Sequence, residues 1–303
     1  MDKSIYHIPV LPEETIQYLN PKPGEVFVDC TLGGGGHSEM ILEKIGELGK
    51  LIAFDCDEEA IEESKKRLEK YANQLIIIND NFVSLKNRLE ELKINKVDGI
   101  LIDLGVSSHQ LEDPQRGFSF GEKGHDAPLD MRLNQNQQFS AIDVVNLYPE
   151  KKLKDIFFTY GEEPYGAKIA REIVKERNFH KIETCGQLLE LIRRATPPDY
   201  RFSREHGHWA SKIFRAIRME VNQELAVLED VMPQALEVLG KGGRLVIISF
   251  HSLEDRIVKH KFLEWEKEGL MEILTKKPII ATPKESVENP KSDSAKLRAI
   301  GKI

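Results

Sequence analysis

The sequence is poor in cysteine and contains no long apolar run. Its three cysteines, Cys30, Cys56 and Cys185, are odd in number and lack CxxC spacing, so neither a disulfide framework nor a zinc knuckle is supported. No apolar stretch approaches the roughly eighteen residues of a membrane span, and the N-terminal residues lack the apolar core of a signal peptide. These absences favour a soluble, untargeted protein of the cytoplasm that has no membrane partner.

Acidic residues outnumber basic ones except in one segment. The net charge of −7 is unfavourable for a nucleic-acid binder, because affinity for phosphate comes mainly from Lys and Arg. Between Glu190 and Arg218, however, there are seven basic residues and three acidic ones. This segment is interpreted either as a solvated helix face or as part of a nucleic-acid contact. Its histidines His206 and His208 have no Cys or carboxylate at ligand spacing, so no metal site is predicted.

The arrangement of apolar segments predicts an α/β fold. At 303 residues the chain is longer than one compact core usually holds, so two domains, or one domain with a large insertion, are expected. Short apolar runs alternate with segments of helical period over the first third of the chain. These runs are Val26–Cys30, Leu51–Asp55, Leu75–Asn79 and Val97–Asp103. The order predicts parallel strands joined by right-handed crossovers, with helices on both faces of a doubly wound sheet.

The alternation stops after Asp103 and resumes with one long helix predicted over 213–239, followed by a strand over 244–250. We therefore predict a discontinuous sheet domain, residues 1–110 and 210–303, with a mostly helical insertion at 111–209. The Pro-, Ser- and Lys-rich tail is interpreted as a loop. It is expected to return a last short strand, 297–303, to the sheet edge.

A glycine-rich loop follows the first predicted strand and opens a helix. The loop is Thr31–His37, with four consecutive glycines. Glycines let a backbone pass close to a ligand, and the free N–H groups of a helix start attract a carboxylate. Asp55 ends the second strand, where a carboxylate can accept hydrogen bonds from both ribose hydroxyls. Asp57 lies at the following turn and is predicted to be a helix N-cap.

These features fit both NAD and S-adenosylmethionine, which share an adenosine. The GxGxxG fingerprint fails at its sixth position, which is Ser38 or Glu39 depending on the start. The loop therefore favours a methyltransferase over an NAD-dependent oxidoreductase, and a tight turn without a ligand is the third interpretation. A non-catalytic RNA-binding factor and an N-methyltransferase acting on DNA or another RNA base also remain open.

Several strings elsewhere in the chain are more specific. Together they closely resemble the ribosomal RNA small subunit methyltransferase H family, also called MraW, in order and at family spacing. The resemblance begins at His7–Val10, ends at Ser294–Arg298 and so covers almost the whole chain. The strings between are Asp103–Gln110, Arg116–Phe120, Pro128–Arg132, Tyr160–Glu163 and Ser249–Arg256.

The resemblance implies a class I methyltransferase with a Rossmann-like sheet. The implied reaction is methyl transfer from S-adenosylmethionine to the N4 exocyclic amine of one cytosine in 16S rRNA, within the small ribosomal subunit. The insertion is implied to be an RNA-recognition domain. The residues implied to hold the cofactor are Gly35, Gly36, His37, Asp55, Phe82, Asp103 and Gln110. Arg215 stands where family members usually carry Gln.

The chemistry of the amine points to a hydrogen-bond acceptor. Its lone pair is drawn into the cytosine ring, so an acceptor on an amine hydrogen stabilises the transition state. The Asp/Asn-Pro-Pro-Tyr tetrad of many amino methyltransferases is absent. Asp103, or a backbone carbonyl of the 103–107 loop, is therefore the catalytic hypothesis, with Asp130 and His251 as further candidates. The alternatives are a cofactor contact for Asp103, a salt bridge with Arg132 for Asp130, and a helix N-terminal position for His251.

A cytosine amine in structured RNA is reached only when the base is unstacked. Phe118 and Phe120, close to Arg116 and Lys123 in a loop, are predicted stacking surfaces, whereas Trp209 is interpreted as a core anchor. The residues predicted to contact RNA are Arg116, Phe118, Phe120, Arg201, Arg204, Arg215 and Arg218.

Overall fold

The computed structural model describes residues 9–119, 124–202 and 208–303. The chain divides into two compact units. The sheet unit consists of residues up to Ser107 together with Leu225–Ile303, and the helical unit consists of Ser108–Glu224.

Seven strands form the sheet. They are β1 (Val26–Asp29), β2 (Lys50–Asp55), β3 (Leu75–Asn79), β4 (Val97–Asp103), β5 (Leu239–Ser249), β6 (Met271–Ile273) and β7 (Lys296–Lys302). The α-helices of the described residues are α1 (Pro12–Leu19), α2 (Gly36–Ile45), α3 (Glu58–Arg67), α4 (Leu85–Glu91), α5 (Ser108–Glu112), α6 (Ala141–Leu147), α7 (Glu150–Thr159), α8 (Gly166–Arg177), α9 (Cys185–Ala195), α10 (Pro198–Phe202), α11 (Ser211–Asn222), α12 (Glu224–Val238), α13 (Ser252–Lys267) and α14 (Pro283–Glu288). None of these described helices combines the length and apolar character needed to cross a bilayer.

The sheet order confirms the predicted doubly wound, Rossmann-like α/β fold. The strands lie in the order β3-β2-β1-β4-β5-β7-β6. Strands β1 to β5 pair in parallel, and β7 pairs antiparallel with both β5 and β6. The prediction that the last strand returns to the sheet edge was wrong in one respect. Strand β7 lies inside the sheet, because the short strand β6, which the sequence pattern did not reveal, covers its outer side.

Helices cover both faces of the sheet, which explains why the parallel strands are almost uniformly apolar. On one face, Phe27 of β1 belongs to a buried cluster with Ile41 and Leu42 of α2. On the other face, Phe54 of β2 belongs to a cluster with Leu228 of α12 and α13 residues such as Phe262. The strand ends, rather than the faces, are therefore left to carry polar chemistry.

The helical unit extends further along the chain than the sequence predicts. The predicted boundaries were 110/111 and 209/210, whereas the units divide at 107/108 and 224/225. Helix α11 belongs to the helical unit because its buried face packs on α6 and α7. The single long helix predicted over 213–239 was also wrong. Gln223, with a left-handed backbone (φ 50°), ends α11 before α12 begins.

We predict that Gly99→Ala destabilises the sheet unit. In the β1–β4 pair Gly99 lies opposite Phe27, and a Cβ atom on Gly99 would sit 2.1 Å from the Phe27 ring. Overpacking of this kind costs about 1–3 kcal/mol, which chemical denaturation measures directly. Gly240→Ala in β5 is the matched control, since its Cβ would meet nothing closer than 3.6 Å. Equal stability of the two variants would contradict the account of the core.

Candidate active site

Three neighbouring strands of the sheet end in an aspartate. Asp29, Asp55 and Asp103 are the last residues of β1, β2 and β4, and these strands lie in the order β2-β1-β4. Parallel strands meet at one edge with their carboxyl ends, which is where doubly wound folds bind ligands.

The glycine turn, residues 31–35, connects β1 to α2, and α2 begins without a side-chain cap. Gly33 and Gly35 have left-handed backbones (φ 48° and 75°), and Gly35 is the N-cap of α2 without a side-chain capping bond. A Cβ atom on Gly35 would lie 3.2 Å from Leu68, and one on Gly36 would lie 3.0 Å from Pro9. Gly35 and Gly36 therefore have little room for a side chain. The Gly35 N–H donates to the Leu32 carbonyl at 2.8 Å, and the Gly36 N–H, in the first turn of α2, is available to an anionic group.

Asp29 holds the glycine turn in place. Its side chain is fully buried. One oxygen accepts from the Thr31 backbone N–H (3.0 Å) and the other from the Ser38 hydroxyl (2.7 Å). Burial raises the pKa of Asp29, and these hydrogen bonds oppose the shift. The sequence analysis missed this residue, although its position at a strand end, like that of Asp55 and Asp103, was a signal that could have found it.

Asp55 links the end of β2 to the glycine turn. Its Oδ2 accepts from the Gly33 N–H at 2.8 Å, and its Oδ1 accepts from the Asp57 N–H at 2.9 Å. Burial raises the pKa of Asp55 to about 6, against the lowering effect of these two bonds. Each oxygen keeps a lone pair for a further donor. The neighbouring Asp57 caps α3 by accepting from the Glu59 N–H, so its prediction as an N-cap is confirmed.

Asp103 lies at the end of β4 against the start of α2. Its Oδ2 is 3.6 Å from Nε2 of His37, and the two side chains are 12% and 6% exposed. Its backbone N–H donates to the Thr31 hydroxyl at 2.7 Å. The other carboxylate oxygen, Oδ1, is buried and has no hydrogen-bond partner among the described residues. Burial, followed by the charges of Asp29 and Glu254, raises the pKa of Asp103 well above its ordinary value.

Two other residues predicted to contact the cofactor lie further from the glycine turn in the chain. Phe82 begins a short 3-10 turn after β3 and packs, half-buried, against the core cluster of the sheet unit. Gln110 belongs to α5 of the helical unit and is 6% exposed. A role for either in binding remains a prediction.

His251 caps a helix. It precedes α13, where its Nδ1 accepts from the Glu254 N–H, and the Glu254 carboxylate accepts in return from the His251 N–H, forming a capping box. Its Nε2 lies 3.2 Å from the same carboxylate. This geometry matches the helix N-terminal alternative stated for His251 and accounts for both side chains without chemistry.

Asp130 forms a salt bridge in the helical unit. Arg132 contacts both of its carboxylate oxygens, from Nε at 2.9 Å and from Nη2 at 2.7 Å. The following backbone is fixed to α11, because Asn222 accepts from the Leu133 N–H and donates to the Met131 carbonyl. The structural alternative for Asp130 therefore has a complete geometry.

Two residues predicted to contact RNA are buried. Arg116 is 2% exposed and donates to the carbonyls of Arg132 and Leu133. Phe118 is 6% exposed. The expectation that they form an exposed stacking loop was therefore wrong, since the loop turns these side chains inward to satisfy backbone carbonyls and fill the unit's core. Phe120 lies outside the described residues.

The basic segment makes many contacts within the helical unit. Arg218 pairs with both oxygens of Glu224, at 2.8 and 2.9 Å. Arg201 donates to the carbonyls of Arg193 and Thr196, and Arg215 donates to that of Gly161. A carbonyl partner does not neutralise the charge of a guanidinium, whereas a carboxylate partner does. Arg204 lies outside the described residues.

The strand order β3-β2-β1-β4-β5-β7-β6 with antiparallel β7, the glycine turn after β1 and the acidic ends of β2 and β4 together are those of a class I methyltransferase fold. The model of the MraW methylase family matches residues 4–303. The chain is 51% identical to ribosomal RNA small subunit methyltransferase H of Clostridium botulinum (strain Loch Maree / Type A3), covering 98% of this chain and 99% of the relative. It is 48% identical to the protein of that name from Fusobacterium nucleatum, covering 98% of this chain and 97% of the relative.

The chain therefore belongs to the MraW methylase family, as the resemblance implied. It is a methyltransferase, and its cofactor is S-adenosylmethionine. The alternatives of a nicotinamide-dependent oxidoreductase and of a non-catalytic factor are thereby excluded.

We predict that Thr31→Val loosens this site. The Thr31 hydroxyl accepts from the Asp103 N–H and lies 3.4 Å from Asp29 Oδ1, so valine leaves the Asp103 N–H without an acceptor. Loss of such a partner costs about 1–3 kcal/mol, measurable as a lower midpoint in chemical denaturation. Thr31→Ser keeps the hydroxyl and is the matched control. A valine variant as stable as the serine variant would contradict the bridging role.

Proposed function

We propose that this methyltransferase transfers a methyl group from S-adenosylmethionine to the N4 exocyclic amine of one cytosine in 16S rRNA of the small ribosomal subunit. The names of the relatives support an rRNA substrate, and such a substrate puts the reaction in the cytoplasm. The observation that carries the proposal is Oδ1 of Asp103, a buried acceptor without a hydrogen-bond partner among the described residues. An N-methyltransferase acting on another RNA or DNA base is the second candidate, since the same acceptor would serve any exocyclic amine.

The residues around the glycine turn fit the cofactor. The Gly36 N–H suits its carboxylate, and Gly35 has no side chain to obstruct the approach. The remaining lone pairs of Asp55 suit two ribose hydroxyls. The resemblance adds Phe82 beside the adenine, together with His37, Asp103 and Gln110. When bound, the cofactor supplies a methyl group that its sulfonium already activates. The chain's own task is therefore to position the acceptor amine and to manage its proton.

Asp103 is the proposed acceptor for that proton. An ionised carboxylate on an amine hydrogen returns electron density to the nitrogen during attack, a stabilisation that grows toward the transition state. The nitrogen gains a methyl group and loses one proton, and Oδ1 is the group that receives it. Asp130 and His251 are not included in the proposal, because Arg132 and Glu254 already account for their geometry.

The helical unit is the proposed RNA-recognition domain. Arg201 supports this role, because its carbonyl partners do not neutralise the positive charge that attracts phosphate, and Arg215 remains a predicted RNA contact of the same unit. Arg204 belongs to the same segment of the sequence, and Arg218 contributes less because Glu224 neutralises it. With Phe118 buried, the exposed aromatic beside Arg201 is Phe202, which is 82% exposed and offers a surface for base stacking.

We expect cofactor affinity to weaken as the pH falls through about 6. The pKa of Asp55 is raised to about 6, so below that value its carboxylate takes a proton and loses an acceptor for the ribose. If only the ionised form binds, the apparent Kd rises roughly tenfold for each further pH unit. Titration calorimetry with S-adenosylmethionine between pH 5 and 8 measures this.

Asp55→Asn should bind weakly at every pH and remove the dependence. Asp57→Asn is the matched control, since it changes a carboxylate two residues away that caps α3. The charge of Asp57 contributes to the raised pKa of Asp55, so the midpoint of the control should move to slightly lower pH. The control should keep the pH dependence. A flat profile in the unmodified protein would contradict the role of Asp55.

Mass mapping of methylated rRNA tests the proposed reaction. Small ribosomal subunits from a deletion strain are incubated with the protein and methyl-labelled cofactor, then digested and mapped by mass spectrometry. We expect one methyl group on N4 of a single cytosine. Asp103→Asn should bind cofactor but turn over about 100 to 10,000 times more slowly. A methyl group on another base supports the second candidate, and near-full turnover by Asp103→Asn refutes the carboxylate role.

A further inference from the structure

His37 faces the proposed acceptor from the start of α2. Its Nε2 lies 3.6 Å from Oδ2 of Asp103, and both side chains are almost fully withdrawn from solvent. Oδ1 of the same carboxylate is the oxygen without a hydrogen-bond partner among the described residues. The two oxygens of Asp103 therefore differ, since one faces an imidazole and the other is available to an incoming donor.

The surroundings of Asp103 disfavour its charge. Asp29 at the end of β1 and Glu254 of α13 contribute negative charge at this carboxylate, and both are buried. Ser38 and Thr31 donate to Asp29, and His251 lies against Glu254 at 3.2 Å. Burial and these two negative charges raise the pKa of Asp103, and a protonated carboxyl would offer a donor where the reaction needs an acceptor.

We infer that His37 is a positioning residue whose protonated imidazole keeps Asp103 ionised, so that Oδ1 can accept the hydrogen bond from the substrate amine. This inference rests on the proposed function of Asp103. It assigns His37 a role beyond the cofactor contact implied by the family resemblance. A pair of opposite charges at this distance favours the ionised carboxylate, an effect that typically lowers a carboxyl pKa by about 1–3 units.

The pH dependence of kcat tests the inference. In His37→Gln, Asp103 loses its counter-ion, so the acidic limb of the profile should move to higher pH by about 1–3 units. A residue that only contacts the cofactor would instead change cofactor affinity equally at all pH values and leave the limb in place. His180→Gln is the matched control, because His180 lies 3.8 Å from Glu176 but is 79% exposed. The control should leave the limb unmoved.

A measurement without turnover tests the same coupling. The ring signals of His37 in the unmodified protein are titrated by NMR and compared with those of Asp103→Asn. We expect the midpoint to move to lower pH by about one unit or more when the carboxylate is lost. This comparison decides the question even if His37→Gln does not fold, because it leaves His37 in place.

The outcomes separate the two proposals. If Asp103→Asn retains turnover, the proposed function of Asp103 fails. If Asp103→Asn is inactive but His37→Gln leaves the acidic limb unmoved, or the NMR midpoint does not change, the role of His37 alone is overturned.

Discussion

The site depends on the cost of burying negative charge at one edge of a parallel sheet. Strands β1, β2 and β4 place three carboxylates there, and a buried carboxylate is stable only with donors or cations around it. The chain supplies part of this compensation through the N–H groups of Gly33 and Asp57 and the hydroxyl of Ser38. Asp103 keeps one oxygen, Oδ1, without a hydrogen-bond donor among the described residues. A ligand that carries a donor can fill this place.

Asp29 and Asp55 also hold the glycine turn in place, because they accept hydrogen bonds from its backbone and side chains. Asp29 fixes Thr31 and Ser38 on either side of the turn, and Asp55 fixes Gly33 within it. Arg67 of α3 also donates to the Gly34 carbonyl. These polar groups of the turn are thus held before any ligand arrives, which lowers the entropic cost of positioning a ligand.

Sequence reasoning succeeded where the signal was local. Apolar runs predicted the strands, and Asp57 was predicted as a helix cap from its place at a turn. The glycine loop and Asp55, predicted to serve one ligand, are joined by the hydrogen bond from the Gly33 N–H. The short strand β6 was missed because three residues carry no readable period. The break at Gln223 was missed because glutamine gives no signal for a left-handed backbone.

The remaining errors came from contacts that are distant in sequence. Whether an arginine faces solvent or a carbonyl depends on the fold of the loop around it, so Arg116 could not be told from an exposed RNA contact. Asp29 was passed over because the glycines beside it offered a complete explanation of the loop. The coupling of His37 to Asp103 joins residues from different elements, and only their 3.6 Å separation reveals it.

The most direct test of the central claim is a crystal structure of the protein with S-adenosylhomocysteine bound. We expect the ligand carboxylate at the Gly36 N–H, in the first turn of α2, and its ribose hydroxyls on Asp55. Its sulfur should lie on the side of the site where Asp103 ends β4. A ligand bound elsewhere, or bound at the turn without contact to Asp55, would contradict the account.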